Sequence, residues 1–461
     1  MNCSTGDEER LVDNDVVLCT APPNPSTTHQ DNDETSGTGV WSTVFLIVNA
    51  TLGAGLLNFP RAFDEAGGLI TSVGTQLIFL VFITAALVIL ANCSEVTDTS
   101  SMQDMFAALY GPKTLLLCAS CIAIYSFGCC LTFLIIIGDQ FDRVLATYIG
   151  PDYCHTWYLS RTFITVITCN LFLLPLCFFK KLRVLRYASS VGCVAVLYVT
   201  VVVVYKYFVR GDLPNVDPMK IWPDRNGFRM LQIIPIICFA YQSHMTAIPM
   251  YACMRERSVK KFTFCAVVSM IVCFLVYTIV GTFGYATFGS GKVPSDVLQG
   301  YADESVTVAL AVVFVAIKNF TTYPIVLYCG RDALFSLARI DVDATTFRSR
   351  AFVTIVWYVL SLIIAVLVPD ISPVVNLLGA LSAAFIFVFP GIALFRSTLL
   401  KDSELYLNKD RLLVFFAIFI TALGAFVSGL VFVEAIEDLN LPPKGTPQVT
   451  GFRRLRDSLC T

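Results

Sequence analysis

The sequence predicts an all-α membrane protein of eleven transmembrane helices, with the first and sixth interrupted. Three observations predict this. Hydrophobic residues make up 56% of the 461 and charged residues only 14%, whereas a soluble domain carries about 25% charge. Apolar runs recur along the chain with short polar gaps, and about 20 apolar residues suffice to cross the hydrocarbon core. Two of the runs, around "NATLGAGLLNFP" (Asn49 to Pro60) and "PIICFAYQSHMTAIP" (Pro235 to Pro249), hold glycine, proline and polar residues at their centres.

In chain order, residues 1–40 are polar and acidic, with no apolar core. They read as a disordered tail and not as a signal peptide. The transmembrane domain follows over 41–435, with spans expected near 43–66, 69–93, 114–138, 161–179, 186–209, 228–250, 260–288, 304–329, 350–369, 373–396 and 411–434. Gly67-Gly68, Gly111-Pro112, Gly150-Pro151 and Pro369 punctuate the gaps, and residues 436–461 form a second tail. Lys180, Lys181, Arg183, Arg255, Arg257, Lys260, Lys261, Arg331, Arg339, Arg348 and Arg396 fall on one side. The positive-inside rule makes that side, and the N-terminus with it, cytoplasmic. An odd span count then leaves the C-terminal tail luminal or extracellular.

Several classes of function lose support at this stage. No basic tract has the density of a nucleic-acid binder. Most of the 17 cysteines lie within apolar runs, where they behave as small apolar residues, and the lone Cys118/Cys121 pair lies on one face of a span. Cys154 and Cys460 are placed on the luminal side, free or paired with each other. The sequons at Asn2, Asn49, Asn92 and Asn319 fall inside spans or on the cytoplasmic side, so no glycosylation is expected. No acid, base and nucleophile cluster as catalysis requires, so no enzyme is expected.

The interrupted runs carry the functional reading. Four less interrupted spans separate them, so each heads a unit of five spans, and an odd unit inverts its successor in the membrane. Inverted repeats headed by broken helices mark transporters whose substrate site lies where the breaks meet. Unwound backbone survives at that depth only when buried in protein or lining a cavity. Gly53 and Gly55 are expected to give the chain freedom to leave helical geometry. Backbone N–H groups over Gly53, Ala54, Gly55 and Leu56 can then hold a substrate carboxylate, and freed carbonyls an ammonium or a cation. Close helix packing is the plainer use of a glycine pair. In the second run, Tyr241 and Gln242 suit a substrate amide, and Phe239 suits its aliphatic part or the core. His244 suits a proton relay or a neutral hydrogen-bonding role.

The stretches "VNATLGAGLLNFPRAFDEAGG", "FLIIIGDQ", "TFGSGKVPSDVL", "TTYPIVLYCGR" and "FIFVFPGIAL" resemble the sodium-coupled neutral amino acid transporters, within the amino acid/auxin permease group. The resemblance covers about 43–434 and is strongest to the branch containing the lysosomal glutamine and asparagine exporter. It implies the five-plus-five inverted-repeat amino acid permease fold and alternating-access transport of a glutamine- or asparagine-like neutral amino acid. It further implies coupling to sodium or protons, with no other cofactor. By the same resemblance Asn49 and Thr321 or Thr322 hold sodium, although threonines in a membrane helix often bond back to their own turn.

Lys318 departs from that pattern. It lies near the middle of the eighth span, roughly 15 Å from either end, where an ionisable group costs at least about 2.5 kcal/mol and is functional by default. Thr321 and Thr322 follow at helical spacing. The ammonium is therefore expected to occupy or abut the sodium position, with transport independent of sodium and set by Lys318 protonation. The alternative is a lysine pointing into a wet vestibule. The remaining partners are the lipid bilayer and, for the acidic tail, a cytosolic protein. An amino acid sensor of transporter shape, signalling through that tail, is the rival functional reading. "DEERLV" (Asp7 to Val12) resembles an acidic dileucine signal and suggests the lysosomal membrane, the plasma membrane being the alternative.

Overall fold

The computed structural model describes residues 37–149, 157–178, 182–210, 217–222, 227–301, 306–340, 346–368, 372–400 and 408–440. Among the described residues the regular structure is helical, apart from one isolated parallel bridge between Thr38 and Met254. In lipid, each spanning segment must satisfy its own backbone, which leaves a long apolar run little choice but helix. The helices are α1 (Val40–Thr51), α2 (Phe59–Glu65), α3 (Leu69–Thr97), α4 (Met102–Tyr110), α5 (Pro112–Ile149), α6 (Arg161–Thr168), α7 (Leu174–Cys177), α8 (Leu182–Arg210), α9 (Ile234–Ala240), α10 (His244–Ala252), α11 (Val259–Phe288), α12 (Val297–Gly300), α13 (Val306–Leu337), α14 (Phe347–Leu367), α15 (Ser372–Ala383), α16 (Phe389–Leu400) and α17 (Asn408–Asn440). Side-chain caps start several of them: Ser101 for α4, Ser160 for α6, Asp296 for α12 and Thr346 for α14 each accept a first-turn N–H.

Nine helical stretches among the described residues are long and apolar enough to cross a membrane, and α1 with α2 forms a tenth, bent by 55°. The segment expected near 161–179 is a shorter apolar helix, Arg161–Cys177, with a π turn at Cys169–Leu173. The α5 helix and the span through α9 and α10 are the most enclosed, each with 78% of its apolar window buried, whereas α17 has only 28% buried and lies at the periphery. Leu77, Ile78 and Val81 on α3 and Phe415 and Phe426 on α17 are exposed, as a lipid-facing surface requires. Inside, α1 and α2 pack on α11, α9 packs on α15, and α13 packs on both α5 and α8.

Three sequence-based boundaries move. The third span does not end near Asp139, because α5 runs on to Ile149. Near its end, Asp139 pairs with Arg161 at 2.8 Å and Gln140 donates to Asp296 at 2.9 Å. Backbone pairing already involves Thr38, before residue 41, which bonds to the segment after α10. The last helix passes 435 and reaches Asn440. Residues 1–36, the Asp7–Val12 motif, Gly150-Pro151, Cys154, Pro369 and Cys460 lie outside the described residues.

Candidate functional site: two helix breaks and a buried lysine

The α1 helix stops at Thr51. Leu52 turns the chain out at ψ 85°, and Gly53 is extended at φ −113° and ψ −157°. A 3₁₀ turn over Ala54–Asn58 leads into α2, where Pro60 in the first turn prevents regular helix from running back across the break. The expected conformational freedom of Gly53 and Gly55 is not what the fold uses, because neither residue has positive φ. Gly55 serves close approach instead. A Cβ there would stand 2.7 Å from Ala240 Cβ and 3.0 Å from Ala240 Cα.

Ala240 is the last residue of α9, so Gly55 sets the first break directly against the second. That second break spans Tyr241–Ser243, between α9 and α10. Leu56, Phe239, Tyr241, Gln242, Ser243 and His244 are all buried. One side chain joins the two breaks. The Tyr277 hydroxyl, on α11, lies 2.7 Å from the carbonyl oxygen of Thr51 and 2.9 Å from that of Ala240. A hydroxyl has one proton, so the two carbonyls, each released by a helix end, share a single donor. The Tyr277 ring stacks on Phe59, with centroids 4.3 Å apart, and meets Tyr241 edge-on.

The Tyr241 hydroxyl accepts from Gln76 Nε2 on α3 at 2.7 Å. Gln76 Oε1 in turn accepts from Thr278. His244 Nε2 lies 3.2 Å from the Ile83 carbonyl, which only accepts, so Nε2 carries a proton. Nδ1 lies 3.2 Å from the Gln242 amide. The Gln242 amide nitrogen and the Ser243 hydroxyl are otherwise buried without partners. A neutral ring that accepts from a turned Gln242 amide satisfies both side chains and makes His244 a pin between α10 and α3.

Two of the expected coupling residues, Asn49 and Lys318, meet at a different point. Gly192 on α8 is where Asn49 and Lys318 converge. A Cβ there would stand 3.0 Å from Asn49 Oδ1, 3.5 Å from Lys318 Cγ and 3.9 Å from Lys318 Cε. The Cys193 thiol donates weakly to Asn49 Oδ1 at 3.7 Å. Lys318 is only 5% exposed, and among the described residues its Nζ has no hydrogen-bond partner. Thr321 and Thr322 both donate to the Lys318 carbonyl at 2.8 Å, the back-bonding arrangement. No hydrogen bond links either threonine to Asn49 among the described residues.

The amide and hydroxyl oxygens of Asn49, Thr321 and Thr322 have the donor chemistry of a hard monovalent cation such as sodium. The neighbouring ammonium does not fit beside such an ion. Two unit charges about 4 Å apart repel by about 4 kcal/mol at the effective dielectric of protein interiors. No group of His, Cys, Asp and Glu that could hold a metal occurs among the described residues.

Tyr277, Gln76, Gly192, Cys193 and Cys273 were not singled out in the sequence. The glutamine within the apolar run "VGTQLIF" was a usable signal, since a membrane-buried amide needs a partner. The others act across helices distant in sequence.

A bundle of apolar helices with two apposed breaks, lined by unpartnered polar groups, is the architecture of a membrane carrier. The chain belongs to the transmembrane amino acid transporter family, whose model matches residues 36–436. Membership makes it a carrier and not an enzyme. It is 36% identical over 445 residues to the zebrafish (Danio rerio) sodium-coupled neutral amino acid transporter 7, covering 94% of this chain and 93% of that one. The human (Homo sapiens) protein of the same name is 34% identical over 462 residues, covering 95% of this chain and 96% of its own. Human solute carrier family 38 member 8 is 32% identical over 369 residues, covering 76% and 83%.

Proposed function

We propose that the chain carries neutral amino acids with glutamine- or asparagine-like side chains across the lysosomal membrane by alternating access. The N-terminus is cytoplasmic in this reading, and the first ten spans form two inverted units of five. The observation that carries it is the apposition of the breaks: Gly55 against Ala240, with Tyr277 shared between the carbonyls of Thr51 and Ala240. Those carbonyls suit a substrate ammonium, and the backbone from Gly53 to Leu56 suits its carboxylate. The Gln242 amide and the unpartnered hydroxyl of Ser243 suit the side-chain amide. Phe239 offers an apolar wall. A site that hydrogen-bonds a substrate amide discriminates strongly against analogues lacking it.

The names of the relatives attach sodium to this class, and Asn49, Thr321 and Thr322 are the residues that would hold such an ion through oxygen. The acidic tail remains a candidate surface for a cytosolic partner.

The test is counterflow in proteoliposomes with a panel of labelled amino acids. Accumulation of glutamine or asparagine well above leucine and glutamate supports the reading. A protein that binds glutamine but gives no counterflow would be a sensor instead.

A further inference from the structure

Lys318 is the buried ionisable group that the substrate site does not use. Its side chain leaves α13 mid-membrane and runs past Gly192 of α8, where any larger residue would meet both its stem and Asn49 Oδ1. The groups within electrostatic reach of the amine are the thiols of Cys193 on α8 and Cys273 on α11. The amide oxygen Asn49 Oδ1, on α1, faces the same point at Gly192. No carboxylate pairs with Lys318 among the described residues, and Nζ has no hydrogen-bond partner. The lysine thus stands at the junction of α1, α8, α11 and α13. Its own carbonyl anchors both threonine hydroxyls at 2.8 Å, so the amine, Thr321 and Thr322 form one unit of α13. A structural lysine at this depth would be expected to find an acidic partner. This one is buried instead near neutral groups, the Asn49 amide oxygen and the thiols of Cys193 and Cys273.

We propose that the Lys318 ammonium is the resident cation of the Asn49–Thr321–Thr322 site, so that this chain moves its amino acid without binding sodium there. The proposal rests on the transport reading above but can fail separately from it. Rotating α8 and α13 relative to α1 would not require an ion to enter or leave, because the charge is covalently held. Sodium is excluded by like charge and by occupied space.

The full chain, purified and reconstituted, is assayed for glutamine uptake in sodium chloride and in choline chloride. The wild type is expected to run at the same rate in both, within about two-fold. Lys318→Ser, which removes the amine and supplies a hydroxyl, is expected to become sodium-dependent, losing about ten-fold or more in choline. In parallel, the melting temperature of purified protein is measured in sodium chloride against potassium chloride. Wild type should show no difference, and Lys318→Ser should be stabilised by sodium.

A wild type whose uptake falls about ten-fold in choline, or whose melting temperature rises specifically in sodium, overturns the proposal. Absence of any amino acid uptake in either medium overturns the transport reading instead, and the melting arm then still decides the cation. If Lys318→Ser does not fold, the two wild-type measurements decide alone.

Discussion

At the scale of single residues, the breaks are held together by very few atoms. Tyr277 supplies one proton to two carbonyls, so removing its hydroxyl leaves both without a protein donor. An unsatisfied buried acceptor costs about 1–3 kcal/mol. Tyr277→Phe is therefore expected to lower the melting temperature and to weaken apparent glutamine affinity. Ring stacking on Phe59 should be retained in the variant. Unchanged stability and affinity would show that the hydroxyl is incidental. Gly55 has no slack at all: Gly55→Ala would place its Cβ 2.7 Å from Ala240 Cβ. Overpacking of this kind costs about 1–3 kcal/mol. Uptake per molecule is expected to fall sharply in Gly55→Ala and to vanish in Gly55→Leu. Ala240→Gly in the same chain as Gly55→Ala should restore part of the rate, since the nearer of the two clashes is removed. If the double variant is no better than the single, the two breaks do not act as one joint.

At the scale of elements, the short α12 shows how a polar group is tolerated between α11 and α13. Asp296 Oδ1 caps the Leu298 N–H at 2.8 Å, and its other oxygen accepts from Gln140 of α5 at 2.9 Å. Burial raises the Asp296 pKa, opposed by the Leu298 N–H, by Arg143 and by Gln140. A carboxyl with a raised folded-state pKa binds its proton more tightly when folded. Its destabilising charge is fully present above that pKa and is relieved as pH falls through it towards the unfolded value. Acidification from neutral pH should thus stabilise the protein through this group, and Asp296→Asn, which still caps, should flatten that part of the profile. Melting temperatures from pH 7 downward check it, and a variant with an unaltered profile would assign the acid response elsewhere.

The elements themselves were largely legible. Apolar runs of membrane length fix helices because lipid leaves no other way to satisfy the backbone. Both breaks were visible as polar and glycine-rich interruptions. The end of α5 was not, because Asp139 and Gln140 look like an interface until Arg161 and Asp296 are seen beside them. Within the site, Asn49, Gln242 and Lys318 stood out as polar residues in apolar runs. Tyr277, in "FLVYTIV", did not, since its role comes from the approach of α1 and α9 and leaves no pattern along α11.

At the scale of the whole molecule, both ends of the carrier are tied by backbone pairing. Beside the start of α1, the Thr38 N–H donates to the Cys253 carbonyl at 2.9 Å and the Arg255 N–H donates to the Thr38 carbonyl at 3.0 Å. Tyr251 adds a bond from α10 to Glu95 of α3. At the opposite end, the Leu69 and Ile70 N–H groups donate to the carbonyls of Lys220 and Ile221, and Asp64 accepts from Ser290 and from the Gly291 N–H. Each such bond contributes about 1 kcal/mol net, so either end can open for a few kcal/mol, on the microsecond-to-millisecond scale of collective motions. Alternating access requires one end to part while the other stays paired. The α1 end can be biased by substitution, because Gly37 lies against Arg255 with no room for a side chain: a Cβ would stand 2.4 Å from Arg255 Cα. Gly37→Val should force the two segments apart and populate the form open at that end. Trypsin cleavage after Arg255 and Arg257 in detergent-solubilised protein is then expected to speed up, while glutamine counterflow slows because the return to the paired form is hindered. Faster cleavage with unchanged counterflow would show that the pairing is a surface tie. Unchanged cleavage would show that the end does not open by this route, and the opening step would have to be sought between α3 and α10 instead.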